Sequence, residues 1–481
     1  MAEKMLQFTH VQRSMPAKRA PRERAHDFDE IYSEFSLKAA GAQAARCSQC
    51  GVPFCQQGCP LSNNIPDWLK LAAEGRLEEA WEVSTATNNM PEICGRICPQ
   101  DRLCEGICTI EQSGHGTVTI GSVEKFITDT AWEEGWVKPI SPPRERSQSA
   151  GIIGAGPGGL AAAEQLRRKG YQVTVYDAYD RGGGLLVYGI PGFKLEKPVV
   201  ARRIKHLEDS GVSFKFNTRI GPDISLQDLR KTHDTVLIAT GVYQAKDLKC
   251  PGVGSTGVLA ALDFLTASNR KSFGDAVPEF DDGTLNAEGK RVVVIGGGDT
   301  AMDCVRTAVR QGAKSVTCLY RRDRANMPGS QREVANAEEE GVVFEWLASP
   351  EAILDTKAGK AKAVRAAKMK LGEPDASGRQ SPVKTGDTMD VKADMVIKAL
   401  GFDPEDLPEL FGEPALTVNR WGAVRVDYAT METSLSGVYA AGDIVRGASL
   451  VVWAIKDGRD AAEAMHRAMK SAEKASKVAA E

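Results

Sequence analysis

Eight of the chain's 11 cysteines lie between positions 47 and 108, close enough in sequence to share bound metal. They form two groups, with the spacings C-x2-C-x4-C-x3-C-P and C-x3-C-x5-C-x3-C. Iron–sulfur clusters take cysteine thiolates as ligands, and structural zinc is held by the same side chains. Disulfides are the third alternative, which a reducing compartment disfavours. The first group contains Cys47, Cys50, Cys55 and Cys59, and the second contains Cys94, Cys98, Cys104 and Cys108.

A second kind of chemistry is indicated by the stretch SAGIIGAGPGGLAAAEQLRRKGYQVTVYD, residues 149–177. Gly154, Gly156 and Gly159 form a G-x-G-x-x-G turn between a predicted strand and a predicted helix. Such a turn, which here includes Pro157, lets the backbone approach a pyrophosphate at the start of the helix. Asp177 ends the next strand, where an acid accepts hydrogen bonds from a ribose. The stretch therefore predicts a dinucleotide site.

The same plan returns in KRVVVIGGGDTAMDCVRTAVRQGAKSVTCLYRR, residues 290–322. The turn here is G-x-G-x-x-A, and its candidate contacts are Gly296, Gly298, Asp299, Thr300 and Ala301. Its second strand ends on Arg321 and Arg322 instead of an acid. Arginine suits a 2′-phosphate through its charge and its forked N–H groups, so the pair predicts NADPH. The alternative is that both arginines are solvent-facing charges on a loop.

The motifs lie in regions with different patterns of apolar and polar residues. Residues 36–138 are predicted to be helical, because IPDWLKLAAEGRLEEAWEVSTATN carries apolar residues at three- and four-residue spacing. A polar linker, SPPRERSQS (141–149), separates this region from the two strand–turn–helix repeats. Tandem repeats of that kind predict an α/β protein with two dinucleotide-binding folds.

Composition limits the class of protein. A hydrophobic content of 42% with 26% charged residues is typical of a globular protein. A net charge of −3 argues against nucleic acid or an anionic membrane as the main partner. We expect no signal peptide and no membrane span, and hence a cytoplasmic protein, since no run of apolar residues reaches the length of either. Cys250, Cys304 and Cys318 lie in apolar segments and are expected to be inert core residues.

Further motifs resemble the flavoprotein disulfide-reductase-like superfamily, which has two dinucleotide folds. They are GGGLLVYGIP (182–191), LIATG (237–241), IKALGFDP (397–404) and GVYAAGDIVRG (437–447). The resemblance implies FAD in the first fold and the nicotinamide nucleotide in an inserted second fold. It also implies a discontinuous FAD domain at 146–250 and 405–481 around an NADPH domain at 251–404, and the helical cysteine region at 1–145 is then the predicted iron–sulfur domain. The flavin contacts that it adds are Gly184, Leu185, Ala239, Thr240, Gly241, Gly442 and Asp443.

One motif of a disulfide reductase is missing. No C-x4-C redox pair follows the first glycine turn. Electrons from the flavin must then leave by another route, and zinc cannot carry them because it is redox-silent. Iron–sulfur clusters accept electrons singly, so we favour iron over zinc for the two cysteine groups.

The order of the cysteine region and the two folds, with MPEICGRICPQDRLCEGICT (90–109), resembles the small-subunit family of bacterial NADPH-dependent glutamate synthases. The same module is similar to the N-terminal half of dihydropyrimidine dehydrogenase and to the large subunit of the NADH-dependent ferredoxin:NADP oxidoreductase. The resemblance implies two [4Fe–4S] clusters. Cys47, Cys50, Cys55 and Cys108 match the ligands of one. Cys59, Cys98 and Cys104 match three ligands of the other, with Glu124 as the fourth and Cys94 as its competitor.

The family implies a function. NADPH would reduce FAD, and electrons would pass through the clusters to a large glutamate synthase subunit, which makes two glutamates from glutamine and 2-oxoglutarate. No residue of this chain is expected to act as a catalytic acid or base. One alternative is an NAD(P)H:ferredoxin-type oxidoreductase subunit. The other is a zinc-stabilised nucleotide-binding protein.

Overall fold

The computed structural model describes residues 4–375 and 380–480. Its N-terminal part is helical, with two 3₁₀ turns at Gln7–Thr9 and Gln100–Arg102. The predicted apolar spacing buries one face of the helix Ile65–Ala73, where Trp68, Leu69 and Ala72 are almost fully enclosed. The helices are α1 (Pro21–Arg24), α2 (Leu37–Ala44), α3 (Phe54–Gly58), α4 (Ile65–Ala73), α5 (Leu77–Thr87), α6 (Pro91–Ile97), α7 (Thr109–Gln112) and α8 (Ile120–Glu133).

The first strand–turn–helix repeat begins an α/β unit. Its strands are short apolar runs, as expected of a parallel sheet covered on both faces. The elements are β1 (Ser149–Ile153), α9 (Pro157–Arg168), β2 (Gln172–Tyr176), α10 (Leu185–Tyr188), α11 (Lys197–Asp209), β3 (Ser213–Lys215), α12 (Leu226–Thr232), β4 (Thr235–Ile238) and β5 (Gln244–Ala245).

The second repeat lies in a separate α/β unit. It contains β6 (Val258–Ala260), α13 (Ala261–Ser272), α14 (Pro278–Asp281), β7 (Arg291–Ile295), α15 (Asp299–Arg310), β8 (Ser315–Tyr320), α16 (Gln331–Glu339) and β9 (Val343–Trp346). It continues with β10 (Ala348–Asp355), β11 (Ala361–Pro374), β12 (Gln380–Lys392) and β13 (Met395–Lys398). The parallel sheet has the order β6-β13-β7-β8-β9, and β10-β11-β12 form a separate antiparallel sheet.

The chain then returns to the first unit. It passes through β14 (Phe402–Asp403), α17 (Leu407–Leu410), β15 (Val438–Ala440), α18 (Asp443–Arg446) and the long α19 (Val451–Ala480). Strand β15 completes a parallel sheet of order β15-β4-β1-β2-β3. The outgoing β5 and the returning β14 pair antiparallel, so the second unit is joined to the first by a two-stranded ribbon.

The helical part packs directly on the first α/β unit. Leu61, Ile93 and Cys98 belong to the same buried core as the β1–α9 region. A buried ion pair of Glu92 in α6 with Arg203 in α11, at 2.8 Å, crosses this boundary. The predicted fold class, a helical region followed by two Rossmann-like α/β units, is confirmed.

Candidate functional site

The first glycine turn is shaped by close approaches of the backbone. Gly154 has a φ of +109°, and a Cβ at this position would lie 2.3 Å from the Ala239 carbonyl oxygen. A Cβ at Gly159 would lie 1.9 Å from the Gly154 oxygen, so that α9 starts tightly against the turn. Gly156, in contrast, faces space with no atom within 4 Å. The turn therefore leaves room for a pyrophosphate at the start of a twelve-residue helix.

A cavity of about 230 Å³ opens beside this turn, and all three parts of the chain contribute to its walls. Ile97, Cys98 and Pro99 come from the helical part, and Asp303 comes from the second α/β unit. The structure brings twelve of the sequence-predicted residues to this wall. They are Gly154, Gly156, Pro157, Asp177, Leu185, Ala239, Thr240, Gly241, Asp299, Thr300, Gly442 and Asp443. Gly159 lies in the first turn of α9, and Gly184 directly precedes α10, where a Cβ would lie 3.0 Å from the Gly156 Cα.

The polar groups of this wall fit a dinucleotide. The Asp177 carboxylate accepts backbone N–H groups of Ala155 at 2.6 Å and Tyr179 at 2.8 Å, which fixes the glycine turn. Burial raises the pKa of Asp443 to about 6. The Thr240 hydroxyl is buried with no hydrogen-bond partner among the described residues. A buried hydroxyl of this kind is rare without a ligand or water, so it supports a bound group in the cavity.

Sequence reasoning missed several residues of the cavity. Tyr243 lies on its wall, and burial raises the pKa of its phenol well above the ordinary range. Lys194 crosses from the first α/β unit to Asp303 of the second, with 2.8 Å between Nζ and the carboxylate. Cys98 was assigned only to metal, although it also reaches this cavity. No local motif marks these positions; the only signal for Tyr243 is its place two residues after LIATG.

The second glycine turn repeats the geometry of the first. A Cβ at Gly296 would lie 2.2 Å from the Ala399 oxygen, whereas Gly298 faces open space at the start of α15. Ala301 is fully buried behind the turn. Beyond the end of β8, Arg321 is exposed, and neither it nor Arg322 is ion-paired within the described part of the chain. Unpaired guanidinium groups at this strand end suit an anionic ligand.

The cysteines separate into two sets. The outer set consists of Cys47, Cys50, Cys55 and Cys108, and Cys47 and Cys108 both contribute to the raised pKa of Cys55. Burial is the main cause of that rise, to about 12. The Gln49 side chain donates to the Cys47 sulfur at 3.4 Å. Cys50 and Cys55 are half-exposed, whereas Cys47 and Cys108 are buried, so one side of the outer set reaches the surface.

The inner set lines one small pocket and consists of Cys59, Cys94, Cys98, Cys104 and Glu124. Burial raises the pKa of Glu124 to about 8. Its carboxylate has no cationic partner among the described residues and receives only the Asn88 amide, at 3.4 Å. The Cys94 thiol donates to the oxygen of the same amide at 3.8 Å. Glu124 and Cys94, the two candidates for the fourth ligand of the inner set, therefore both face this pocket.

Zinc is the alternative metal for the two cysteine sets. Zinc holds thiolates at about 2.3 Å in a tight tetrahedron. Across residues 4–375 and 380–480, no three His, Cys, Asp or Glu side chains are grouped as a single ion requires. In the same residues, none of the helices combines the length and the apolar character needed to cross a bilayer.

Comparison with known proteins assigns both regions. Residues 24–136 match the family model described as dihydropyrimidine dehydrogenase domain II, 4Fe-4S cluster, and residues 149–458 match pyridine nucleotide-disulphide oxidoreductase. The chain is 65% identical to the glutamate synthase [NADPH] small chain of Azospirillum brasilense, over 100% of this chain and 99% of that one. It is 46% identical to the same-named chain of Escherichia coli K12, over 96% and 98%. The chain belongs to the glutamate synthase small-chain family. The family resemblance found in the sequence is confirmed.

The chain thus joins an iron–sulfur domain to an oxidoreductase domain, and all eight clustered cysteines lie in the first match. The fold likeness extends to a solved structure, FprA of Mycobacterium tuberculosis in complex with NADPH. It is 21% identical with a TM-score of 0.58, and the match covers 69% of this chain and 86% of FprA. At this identity the likeness supports the fold alone. The two family matches and the small-chain relatives make the chain an oxidoreductase with a 4Fe-4S domain and a pyridine nucleotide-disulphide oxidoreductase domain.

Proposed function

We propose that this small chain takes electrons from NADPH and delivers them to the large subunit of a glutamate synthase. That partner would make two glutamates from glutamine and 2-oxoglutarate. The observation that carries the proposal is the shared cavity, because one wall holds the first glycine turn, the start of α15 and Cys98. Residues proposed to hold flavin, nicotinamide and iron thus lie around one space.

Named residues would hold each cofactor. The Gly154–Gly159 turn, Asp177 and the Gly442–Asp443 segment would bind FAD, and the Gly296–Ala301 turn with Arg321 and Arg322 would bind NADPH. When bound, the nicotinamide supplies a hydride, the flavin takes up its two electrons, and iron–sulfur clusters carry electrons singly.

The chain itself positions and encloses these groups. The Lys194–Asp303 ion pair ties the two α/β units together at the cavity, so that their dinucleotide sites keep a fixed separation. Leu185, Leu186 and Ile190 give the cavity an apolar wall that excludes water. No side chain is required to transfer a proton in this scheme, since hydride and electron transfer are carried out by the cofactors.

We further propose two [4Fe–4S] clusters, one on each cysteine set. The outer set would supply Cys47, Cys50, Cys55 and Cys108. The inner set would supply Cys59, Cys98 and Cys104, with Glu124 preferred to Cys94. Glu124 is favoured because it matches the ligand position that the family resemblance implies and because its buried carboxylate has no cation beside it among the described residues.

The outer set would face the large subunit. Cys50 and Cys55 are half-exposed, and Val52 and Phe54 beside them are 55% and 48% exposed. Exposed apolar side chains around a redox centre suit a protein partner. All 11 cysteines are free of disulfides, which supports our assignment to the reducing cytoplasm.

The test is a spectrum followed by a reconstitution. The anaerobically prepared chain should contain flavin and about eight irons, as expected for two four-iron clusters. NADPH should bleach the flavin absorbance, and adding the large subunit should give NADPH-dependent glutamate formation. An iron-free chain that fully supports turnover of the large subunit would refute the proposal.

A further inference from the structure

A loop folds over the second glycine turn and forms one rim of the proposed NADPH site. The Gly329 N–H donates to the Gly297 carbonyl at 2.9 Å, and the Tyr320 hydroxyl holds the loop through the Asn326 carbonyl at 3.1 Å. The N–H of Ser330 donates to the Asp299 carboxylate at 2.9 Å. Residues 326–330 are thus fixed against the turn and the first residue of α15.

This rim is contacted from the iron–sulfur domain. Arg102 donates through one terminal nitrogen to the Pro328 carbonyl and through the other to the Asp299 carboxylate, at 3.2 Å. The neighbouring Asp101 accepts from the Ser330 hydroxyl at 3.4 Å. Both residues lie in the 3₁₀ turn Gln100–Arg102, between Cys98 and Cys104. A segment that carries cluster ligands therefore also touches the coenzyme turn.

Through Asp299, the contact of Arg102 also affects the site where the coenzyme would bind. It is the first residue of α15, so its negative charge lies where a pyrophosphate would approach the helix N-terminus. Two like charges at that place repel each other unless a cation lies between them. Arg102 is that cation. The two side chains are 41% and 37% exposed, so the pair is open to an incoming ligand.

We propose that Arg102 binds the pyrophosphate of NADPH, so that the iron–sulfur domain completes the coenzyme site. The inference rests on the proposed function, which places NADPH at the second glycine turn. A guanidinium group has five N–H donors in a planar fork. Two contacts to Pro328 and Asp299 leave donors for phosphate oxygens while the charge of Asp299 stays neutralised.

The experiment measures nucleotide binding to the cofactor-loaded chain by calorimetry, with NADP⁺ and NAD⁺ as probes. Arg102→Gln keeps a donor for the Pro328 carbonyl and removes the charge. We expect it to raise Kd about tenfold for both nucleotides, because both carry the pyrophosphate. Arg102→Lys keeps the charge without the fork, and it should recover part of the affinity. Arg76→Ala is the matched control, since Arg76 is an exposed arginine of the same domain, paired with Glu74 and Glu79.

Each remaining outcome counts against the inference. An unchanged Kd in Arg102→Gln would overturn it, because the contact would then be purely structural. A loss confined to NADP⁺ would also overturn it by assigning Arg102 to the 2′-phosphate. Iron and flavin contents measured on the same samples show that the variants are folded. If the wild-type chain bound neither nucleotide, the proposed function would fail and this inference with it. Wild-type binding with an unaffected variant removes the inference alone.

Discussion

Glu124 lies in the pocket that the inner thiols line, and its carboxylate accepts a hydrogen bond from Asn88 with no cation beside it in the described structure. Burial without a cation raises its pKa to about 8. An ionised carboxylate buried in this way is costly unless a positive partner compensates it. Bound iron would be such a partner. Cys94, the competing ligand, contacts the oxygen of the same Asn88 amide at 3.8 Å.

Replacing each rival separately by alanine decides between them. Glu124→Ala should lose the iron and the EPR signal of one cluster, since the inner set would keep only three ligands. Cys94→Ala serves as its matched control and should keep both clusters. Iron analysis and EPR of the reduced proteins provide the measurement. Cluster loss only in Cys94→Ala would reverse the assignment.

Arg321 and Arg322 set the preference between the two nicotinamide coenzymes in our proposal. Replacing both by alanine should raise KM for NADPH by about tenfold or more and leave KM for NADH nearly unchanged, because only NADPH carries the 2′-phosphate. Steady-state dye reduction with each coenzyme measures the change. Lys314→Ala, an exposed cation at the opposite end of β8, is the control. Equal losses with both coenzymes would contradict the assignment.

For single residues, the sequence predicted the features that depend on neighbours in the chain. Gly154 and Gly296 stand in motifs in which a few adjacent residues determine the turn, and both turns have the expected strand and helix on either side. Lys194, Tyr243 and Arg102 were not found. Their roles depend on residues that folding brings in from distant parts of the chain, such as Asp303 and Asp299.

At the level of helices and strands, α10 and α11 are joined by hydrogen bonds from a lysine whose pKa is lowered. Lys197, the first residue of α11, donates to the carbonyls of Leu186, at 3.1 Å, and Ile190. Burial of its ammonium group lowers its pKa to about 7. The side chain thus caps the carbonyl end of α10 without an ion pair among the described residues, and the charge of Asp303 opposes the shift only in part.

Lys197 should make stability depend on pH. In the unfolded chain a lysine titrates near 10.4, so between pH 7 and that value the unfolded state binds more protons. The wild-type chain should therefore gain stability over Lys197→Met as pH rises from 7 to 9, by up to about 1.4 kcal/mol per unit. Thermal melts of the two holoproteins at pH 7, 8 and 9 measure the difference.

Lys205→Met is the control on the same helix, because Lys205 is exposed and paired with Asp209. Its melting difference from the wild-type chain should stay constant over this range. A constant difference for Lys197→Met as well would contradict the prediction.

The antiparallel sheet β10-β11-β12 shows what sequence reasoning missed among the elements. Its strands carry many exposed charged residues, and β12 is largely exposed along its length. Long polar strands lack the apolar run that marked β1 and β7. The sheet is held by cross-strand pairing, such as Arg365 with Asp390 at 2.8 Å, which local patterns do not reveal.

Across the whole molecule, Glu340 joins the N-terminal arm to the second α/β unit. Its carboxylate is fully buried and pairs with Arg24 at 3.0 Å, Arg306 at 2.8 Å and Arg310 at 2.7 Å. Burial opposes ionisation, but hydrogen bonds from Arg306 and Arg310 lower its pKa overall. Both of these guanidinium groups also stack on Phe193 of the first unit. One carboxylate thus balances charges brought from separate parts of the chain.

Glu340→Gln should destabilise the assembly by about 3–5 kcal/mol, because it leaves buried arginines without their common partner. A lower melting temperature and faster tryptic cleavage of the Lys18–Arg24 arm would report the effect. Glu338→Gln, at a more exposed position paired with Arg324, is the control and should behave as the wild-type chain does. A variant at Glu340 that melts and resists trypsin like the wild-type chain would disprove this role.

The ribbon of β5 and β14 gives the coenzyme-binding unit an entrance and an exit that lie side by side, with Ala245 opposite Phe402. The second α/β unit between these two strands could then be replaced by another one without moving the points where the chain leaves and re-enters the first unit. The replacement unit would have to supply its own partners for Lys194 and Arg102, since the contacts of these two residues reach from the rest of the chain into the second α/β unit. Changing the coenzyme of such a reductase while keeping its electron acceptor therefore requires new junctions at only two neighbouring points of the chain.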